Sequence, residues 1–453
     1  MTEETAITTQ EKKNKINADP TKDFFVNMIT RDIALADCIF DLLDNSIDGA
    51  RRRIDVNQSQ PFAGFEIQLK FNKDGFSICD NCGGIPLAEA ENHAFHFGRK
   101  SKDDVDVKGG IGLYGIGMKR ALFKIGKWAE VISHTPDNSF RVELDVNAWM
   151  KEVEWDFSWE SIDAEAVSGT KINVKKLNPG IADIFSDSDF IGTLIQAISR
   201  DYTFFIDKGL QIKVGETSAP SLQYGLKQNE NISPGVLTYD DSGISVRIIA
   251  GLIEDLPDDI PDEIRPGLTE RFGWYVICND RVVLAADKSS KTVWGNDGFP
   301  VWHPQYTGFG GFVFFQSDDQ NSLPWTTTKR DLDVSSPLYR RTISKMKEMT
   351  VDFTRYTTRR KAELDSAKNL EANSRNVDVY ALSQPASNST GVSTPLKLPT
   401  FTAPAGPTLV NISFKRKKTE VDEVKKELGD QFMSNTNMGQ AIFDYFLAEE
   451  LGK

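Results

Sequence analysis

One stretch, residues 30–53 (TRDIALADCIFDLLDNSIDGARRR), concentrates side chains that could do chemistry. At about 100° per residue, one side of a helix carries Asp41, Asp44, Asn45 and Asp48, while the other side is apolar. Carboxylates at this spacing repel one another unless a cation lies among them. Oxygen-only ligands suit Mg²⁺, which keeps several waters and usually arrives with phosphates. The stripe therefore predicts a magnesium and phosphate site, with a solvated acidic helix face as the alternative.

The second candidate is a strand that ends in a carboxylate. Residues 65–72 and 76–79 alternate apolar and polar side chains, which predicts two strands joined by a turn. The second strand leads into Asp80 and a glycine-rich turn that includes Gly84. A carboxylate there can accept a hydrogen bond from an exocyclic amine such as that of adenine, and glycine lets the backbone approach a flat ligand. The alternative is an ordinary turn, which these residue types favour anyway.

A C-x-x-C pair, Cys79 and Cys82, is followed by His93 and His96 and suggests zinc. The histidine spacing is one residue shorter than usual, and Asp80 would be trapped inside the metal loop. Two small buried thiols and two helix histidines are the favoured interpretation.

Residues 109–117 are rich in glycine and lead into an amphipathic helix predicted at residues 118–125. Glycines before a helix N-terminus expose amide groups that can bind phosphate. The G-x-G-x-x-G pattern of Gly110, Gly112 and Gly115 has no apolar strand before it, so a dinucleotide-binding motif is disfavoured. The segment looks instead like a hinged lid over a triphosphate. Lysines that could offset phosphate charge are Lys100, Lys102, Lys108 and Lys119.

Further strands are predicted at residues 129–133, 140–144 and 168–174. The last one opens with Gly169 and Thr170, and we expect the Thr170 hydroxyl to lie beside Asp80.

Four motifs in this order, DLLDNSIDGA, DNCGGI, GLYGIG and SGT, resemble the nucleotide-binding motifs of the GHKL ATPases. That superfamily includes gyrase, the heat-shock chaperones, histidine kinases and MutL. The resemblance covers residues 25–215 and implies an α+β fold, the Bergerat ATP-binding α/β sandwich, for a domain at residues 23–215. It also implies ATP and Mg²⁺ as cofactors.

The resemblance implies a role for each matching residue. Asp41 matches the general base, Asn45 the Mg²⁺ ligand and Asp80 the residue that reads adenine. The implied cofactor-binding set is Asn45, Asp48, Asp80, Gly84, Gly112, Gly115, Gly117, Met118 and Thr170. Asp41 replaces the usual Glu and sets the carboxylate back by about one bond length, which predicts hydrolysis that is slow or is helped by an additional water. Cys82 replaces a glycine of the second motif, and the glycines after it can restore that turn.

Residues 216–365 look like the transducer-like α/β second domain of these proteins, with strands at residues 244–251, 273–284 and 310–315. A hairpin turn is predicted at Asn279-Asp280. The second strand run and the FGRKSK stretch are most similar to MORC ATPases. The segment LPWTTTKRDLD matches the loop that presents a lysine, here Lys329, to the γ-phosphate. A surface turn is the alternative.

The two ends of the chain differ from its middle. Residues 1–22 are predicted to be a disordered polar tail, and residues 366–408 a flexible linker rich in Ser, Thr, Asn and Pro. Residues 409–453 read as a strand at residues 411–416 followed by two helices. This small element resembles ribbon-helix-helix DNA-binding modules. A dimerisation or docking motif is the alternative.

Composition bounds these interpretations. A chain of 453 residues with 39% hydrophobic residues can hold two or three domains. No apolar run is long enough to span a membrane, and the N-terminus lacks the apolar core of a secretory signal. The 4 cysteines without a regular framework predict a cytoplasmic protein. A net charge of −13 argues against a body that coats nucleic acid.

Together the motifs predict an ATP-dependent switch that hydrolyses ATP slowly and dimerises when nucleotide binds. DNA, bound through the C-terminal element, is a candidate partner. A nucleotide-sensing adaptor with little turnover and a chaperone-like clamp on protein clients remain the alternatives.

Overall fold

The computed structural model describes residues 20–55, 58–98, 108–112, 115–253, 271–383, 393–401, 410 and 412–452. The chain divides into two compact units, Met1–Phe401 and Thr402–Lys453. The described part of the first unit is mixed α+β, with an eight-stranded, a six-stranded and a two-stranded sheet. The predicted domain boundary between residues 215 and 216 falls inside this unit and stays a prediction.

The eight-stranded sheet has the order β5-β4-β3-β6-β2-β1-β7-β8. Its strands are β1 Glu66–Asn72, β2 Gly75–Asp80, β3 Gly126–His134, β4 Ser139–Asp145, β5 Trp159–Ser161, β6 Gly169–Leu177, β7 Gln211–Val214 and β8 Thr217–Ser218. Neighbouring strands are antiparallel except β1 and β7. In β1 and β2 the apolar residues Ile67, Leu69 and Ile78 are buried while their neighbours are more exposed, which confirms the predicted alternation.

The helices that accompany this sheet are α1 Lys22–Arg31, α2 Leu35–Arg51, α3 Leu87–Glu89, α4 Gly117–Ile125, α5 Val146–Trp149, α6 Ile181–Ser186, α7 Ser188–Asp201 and α8 Thr203–Asp207. The predicted helices α2 and α4 pack against each other, and α4 also packs on β3 and β6. Ile39, Leu43 and Ile47 of α2 are fully buried in the same core as the sheet. The chemistry-bearing stripe of α2 is therefore fixed on a rigid element.

The remaining strands are β9 Gly225–Gln228, β10 Gly235–Asp241, β11 Ile244–Leu252, β12 Gly273–Cys278, β13 Arg281–Asp287, β14 Phe309–Gln316, β15 Arg375–Asp378 and β16 Ser393–Thr394. The six-stranded sheet has the order β13-β12-β14-β11-β10-β16, and β9 pairs with β15. Strands β12 and β13 form the predicted hairpin, with Asn279 and Asp280 at φ 48° and 68°. Two positive φ values in a two-residue turn match the twist of a tight hairpin.

The predicted flexible linker at residues 366–408 is wrong for its described part in the first unit. After α9 (Pro337–Arg360), the chain continues as α10 Leu364–Glu371 and α11 Val379–Ser383. Glu371 of α10 forms a buried ion pair with Arg360 at 2.7 Å. These short elements are held by contacts with distant parts of the chain, so local composition does not reveal them. Residues 384–392 and 402–409 lie outside the described residues.

The second unit contains the two predicted helices, α12 Lys418–Glu427 and α13 Asn435–Leu451. The strand predicted at residues 411–416 is not present: residue 411 lies outside the described residues, and residues 412–417 belong to no strand. A strand requires a pairing partner, and in a ribbon-helix-helix module that partner is a second chain. The predicted tail at residues 1–22 lies outside the described residues up to residue 19, and Lys22 begins α1.

No helix among the described residues is long and apolar enough to cross a membrane.

Candidate functional site

The acidic stripe of α2 is mostly buried. Asp41, Asp44 and Asp48 expose only 6%, 1% and 5% of their surface, whereas Asn45 is exposed. Each of the three carboxylates has a partner within the protein. The groups that relieve the repulsion along the stripe come from other elements of the chain and include the cationic side chains of Arg120 and Lys329.

Asp41, the predicted general base, is paired with Arg120 of α4. The Arg120 Nε lies 3.0 Å from Asp41 Oδ2, and the Arg120 Nη2 donates to the same oxygen. Burial raises the pKa of Asp41, while Lys329 and Arg120 oppose the rise. Gly117, the first residue of α4, is so close that a Cβ on it would lie 3.0 Å from Asp41 Cβ. Arg120 was not among the predicted site residues, although it follows the glycine-rich segment at residues 109–117, here called the glycine loop, by only a few positions.

Asp44 forms an ion pair with Lys329, the lysine predicted to contact the γ-phosphate. The Lys329 Nζ lies 3.0 Å from Asp44 Oδ2 and is buried, so Lys329 is not part of a solvent-exposed surface turn. On the other carboxylate oxygen, the Tyr202 hydroxyl donates at 2.8 Å and the Arg281 Nε lies at 3.3 Å. Burial raises the pKa of Asp44, but Lys329 and Arg281 together hold it below its usual value. Sequence reasoning missed both Tyr202 and Arg281.

Asp48 binds the backbone of the glycine loop. Its carboxylate accepts hydrogen bonds from the amides of Ile111 at 2.8 Å and Gly112 at 2.5 Å. Burial raises the pKa of Asp48, and these two amides oppose the rise. The loop amides thus already point at an anion, as expected of a backbone that binds phosphate. A Cβ on Gly112 would lie 2.9 Å from Asp48 Oδ2, which leaves no room for a larger residue.

Asp80 lies at the end of β2 and accepts three hydrogen bonds. The donors are the Ser46 hydroxyl at 2.7 Å, the Cys82 amide at 2.9 Å and the Thr170 amide at 3.2 Å. Thr170 therefore contacts Asp80 through its backbone, whereas the sequence predicted its hydroxyl. Burial raises the pKa of Asp80, against the lowering effect of these donors. Gly169 makes this approach possible, because a Cβ there would lie 1.9 Å from the Asp80 carbonyl oxygen.

Two glycines follow Cys82 in the turn after Asp80, where the sequence analysis expects them to restore the freedom of the backbone. Gly83 and Gly84 have φ values of 104° and 74°, which glycine adopts readily. A Cβ on Gly84 would lie 2.3 Å from the carbonyl oxygen of His134. Cys82 is buried and Cys79 is exposed. Within the described ranges, no three His, Cys, Asp or Glu side chains are grouped so that they could hold a metal ion.

The glycine loop is anchored at both ends. Gly115 has a φ of 64°, and Met118 packs in the core with its side chain buried. Lys119 is buried and donates to the carbonyls of Ala94, at 2.7 Å, and Gly115. The prediction that Lys119 offsets phosphate charge is therefore not supported by its position. Lys100 and Lys102 lie outside the described residues.

The Asn279-Asp280 hairpin joins the six-stranded sheet to the site. The Asn279 side chain donates to the carbonyl of Gly110 in the glycine loop at 3.0 Å. Asp280 pairs with Arg51, near the end of α2, at 3.0 Å. The hairpin therefore contacts both elements that carry the predicted phosphate-binding groups. This connection was not predicted, since each contact joins residues far apart in the sequence.

Comparison with known families agrees with the motif order. Residues 33–177 match the family model described as Histidine kinase-, DNA gyrase B-, and HSP90-like ATPase. The matched segment runs from the start of α2 through β6 and contains Asp41, Asn45, Asp80 and Thr170. It is less than half of the chain, and it supports a GHKL-type ATPase domain in this region. Such a domain indicates ATP binding and, as the general activity of the family, ATP hydrolysis. No curated protein matches the chain.

Proposed function

We propose that the protein is a MORC-like GHKL ATPase that binds ATP with Mg²⁺ between α2 and the glycine loop and hydrolyses it slowly. One observation carries the proposal. Glycine-loop amides, Arg120 and Lys329 converge from three different elements on the acidic stripe of α2.

The residues present fit this nucleotide. Asp80 is the acceptor for the adenine amine, and its other contacts hold the carboxylate in place. The amides of Ile111 and Gly112, which now donate to Asp48, are the donors for phosphate oxygens. Asn45 is the exposed oxygen ligand of the stripe and would hold Mg²⁺, which prefers one or two protein ligands beside water and phosphate. When bound, that ion supplies positive charge to the phosphates.

Asp41 is the residue that accepts a proton from the attacking water. Its raised pKa brings it closer to neutral pH, where a general base works best. Two features make the step slow: the carboxylate is shorter than the usual Glu, and it is engaged by Arg120. Arg120 must loosen its contact, or share it, before Asp41 can orient a water.

Lys329 links hydrolysis to conformation. Lys329 lies in the segment between β14 of the six-stranded sheet and α9. In the ATP-bound state this lysine binds the γ-phosphate, and it loses that attraction once the phosphate leaves. We propose that this difference gates dimerisation of two protomers, which makes the protein an ATP-controlled clamp. The C-terminal unit, with the basic residues Lys415, Arg416, Lys417 and Lys418 ahead of and at the start of α12, is the proposed contact with DNA.

The second candidate is an adaptor that binds ATP with little turnover. The observation that favours it is the pairing of the base position Asp41 with Arg120. A chaperone-like clamp on protein clients is separated from the DNA clamp by the deletion experiment in the Discussion.

The deciding experiment compares turnover by the native protein and by Asp41→Ala under single-turnover conditions. We expect a loss of about 100-fold or more, the usual contribution of a general base, with ATP still bound. Asp37→Ala is the matched control, because Asp37 lies on the same helix and pairs with Arg330 instead. Equal rates for native protein and Asp41→Ala, with ATP bound by both, would support the adaptor.

A further inference from the structure

Lys329 is held by one carboxylate in an unusual backbone conformation. It has a φ of 54°, which lies in the left-handed region that lysine rarely adopts. The turn that carries it is closed by a hydrogen bond from its amide to the Thr326 carbonyl at 2.9 Å. Its ammonium group, almost fully buried, lies 3.0 Å from Asp44 Oδ2. A strained residue with a buried charge indicates that its surroundings hold it in place.

The two oxygens of Asp44 have separate partners. Lys329 contacts Oδ2, while the Tyr202 hydroxyl and Arg281 contact Oδ1. If Lys329 moves away, the Asp44 Oδ1 still accepts a hydrogen bond from Tyr202 and still lies beside the positive charge of Arg281. Asp44 can therefore release the lysine without becoming an isolated buried charge, which is a strongly unfavourable state.

Arg281 is suited to this supporting role. Its side chain is 0% exposed and lies between Asp44 and Asp201, at 3.3 and 3.4 Å. Its guanidinium also lies 4.1 Å from the ring centre of Tyr202. As the first residue of β13, it is fixed by the hairpin that contacts the glycine loop. Arg281 thus stays in place while the Lys329 side chain exchanges its partner.

We propose that Asp44 is a positioning residue that acts as the resting counter-ion of Lys329, and that the terminal phosphate of ATP binds by displacing this carboxylate. The inference rests on the proposed function, because it assumes that ATP binds at α2. It makes Asp44 a determinant of the preference for ATP over ADP, because only a ligand with a γ-phosphate can replace the contact that Lys329 loses.

The test measures dissociation constants of a non-hydrolysable ATP analogue and of ADP, each with Mg²⁺, for the native full-length protein and for Asp44→Asn. Asparagine keeps the shape and an acceptor for Tyr202 but removes the charge that holds Lys329. We expect the preference for the ATP analogue over ADP to rise about ten-fold, the lower range for a charge-assisted hydrogen bond. The affinity for ADP should stay nearly constant.

Two further variants make the result specific. Asp37→Asn removes the same charge from the same helix but releases Arg330, and should leave the preference unchanged. Tyr202→Phe removes one donor from Asp44, so that the carboxylate depends more on Lys329, and should lower the preference. If Asp44→Asn does not fold, the result for Tyr202→Phe still tests the proposal.

The outcomes separate the two proposals. An unchanged or lowered preference in a folded Asp44→Asn protein that still binds both nucleotides overturns the counter-ion role alone. A preference that does not fall in folded Tyr202→Phe does the same. If the native protein binds neither nucleotide, the proposed function fails, and this inference fails with it.

Discussion

The carboxylates of α2 differ in the partner that each one holds. Asp41 binds a guanidinium, Asp44 an ammonium and a phenol, and Asp48 two backbone amides. Asn45, between them, is exposed. A single helix therefore presents, within two turns, the proposed base, the proposed counter-ion of Lys329, a carboxylate bound to loop amides and the proposed metal ligand. This division of roles is not evident from residue types, since three of the four are aspartates.

At the residue scale, Asp80→Asn tests the adenine contact. The substitution keeps the shape of the side chain but removes the charge of the carboxylate, which accepts three hydrogen bonds. We therefore expect the free energy of ATP binding to become less favourable by about 1.5–3 kcal/mol. Isothermal titration with ATP and Mg²⁺ measures this change. Ser46→Ala, which removes only one of the donors, should cost less. An unaltered affinity in a folded Asp80→Asn protein would contradict the adenine role.

The sequence could identify the individual residues of the site but not all of their partners. Asp80 and the glycines after it occur in one local motif, so their spacing reveals them. Arg120 is 79 positions from Asp41, and Lys329 is 285 positions from Asp44. Only the resemblance to a family pointed to Lys329. For Arg281, the one available signal was a charged residue followed by five apolar residues of the same strand.

At the scale of elements, β6 must approach β2 closely for Asp80 to be positioned. Gly169→Ala would place a Cβ 1.9 Å from the Asp80 carbonyl oxygen, so we expect a loss of about 1–3 kcal/mol in unfolding free energy and weaker ATP binding. Gly192→Ala is the matched control, since this helical glycine has open space around it and alanine should stabilise α7. Urea unfolding compares the two. Equal unfolding free energies for Gly169→Ala and Gly192→Ala would contradict the close packing of β6 against Asp80.

Lys119, which holds one end of the glycine loop, should make the unfolding free energy of the protein depend on pH. Burial lowers the pKa of Lys119 from 10.5 to about 7 in the folded protein. Between these values the unfolded chain binds more protons, so the unfolding free energy should increase as pH rises from 7 towards 10. The expected slope from this one group is at most about 1.4 kcal/mol per pH unit. Urea unfolding of the native protein and Lys119→Met at several pH values measures it; identical slopes would contradict the prediction.

Elements with strong periodicity were predictable, and elements held by distant contacts were not. Helices α2 and α4 and strands β1 to β4 carry their pattern in the local sequence. In contrast, α10 and β15 lie where Ser, Asn and charged residues suggested a linker. Strand β15 exists because β9 pairs with it from 147 positions away, as the Arg375 and Gln228 side chains illustrate. Local composition does not contain that information.

At the scale of the whole molecule, the described part of the second unit, residues 410 and 412–452, lacks a core of its own. Met438 is its one buried apolar residue within residues 410 and 412–452, while Phe432, Phe443 and Phe446 are exposed. Two short helices with so little burial are marginal in isolation. This observation is consistent with an element that completes its fold with a second chain or with a ligand.

Deletion of residues 402–453 tests the role of this unit. ATP binding should persist, because every candidate residue of the nucleotide site lies in the first unit. Binding to duplex DNA should be lost, and in the full chain it should weaken steeply as salt concentration rises, since phosphate contacts release counter-ions. Fluorescence anisotropy at several salt concentrations measures both proteins. Unchanged DNA binding after deletion would contradict a DNA-binding role for this unit, whereas no DNA binding by the full chain would favour the clamp on protein clients.

The most direct test of the nucleotide site is the melting temperature of the full-length protein with and without Mg²⁺ and a non-hydrolysable ATP analogue. A ligand that binds only the folded state must raise that temperature. We predict a clear rise in the native protein that Asp80→Asn abolishes and that Asn45→Ala reduces. A melting temperature that the nucleotide does not change in the native protein, or a rise that survives both substitutions, would contradict a nucleotide site between α2 and the glycine loop.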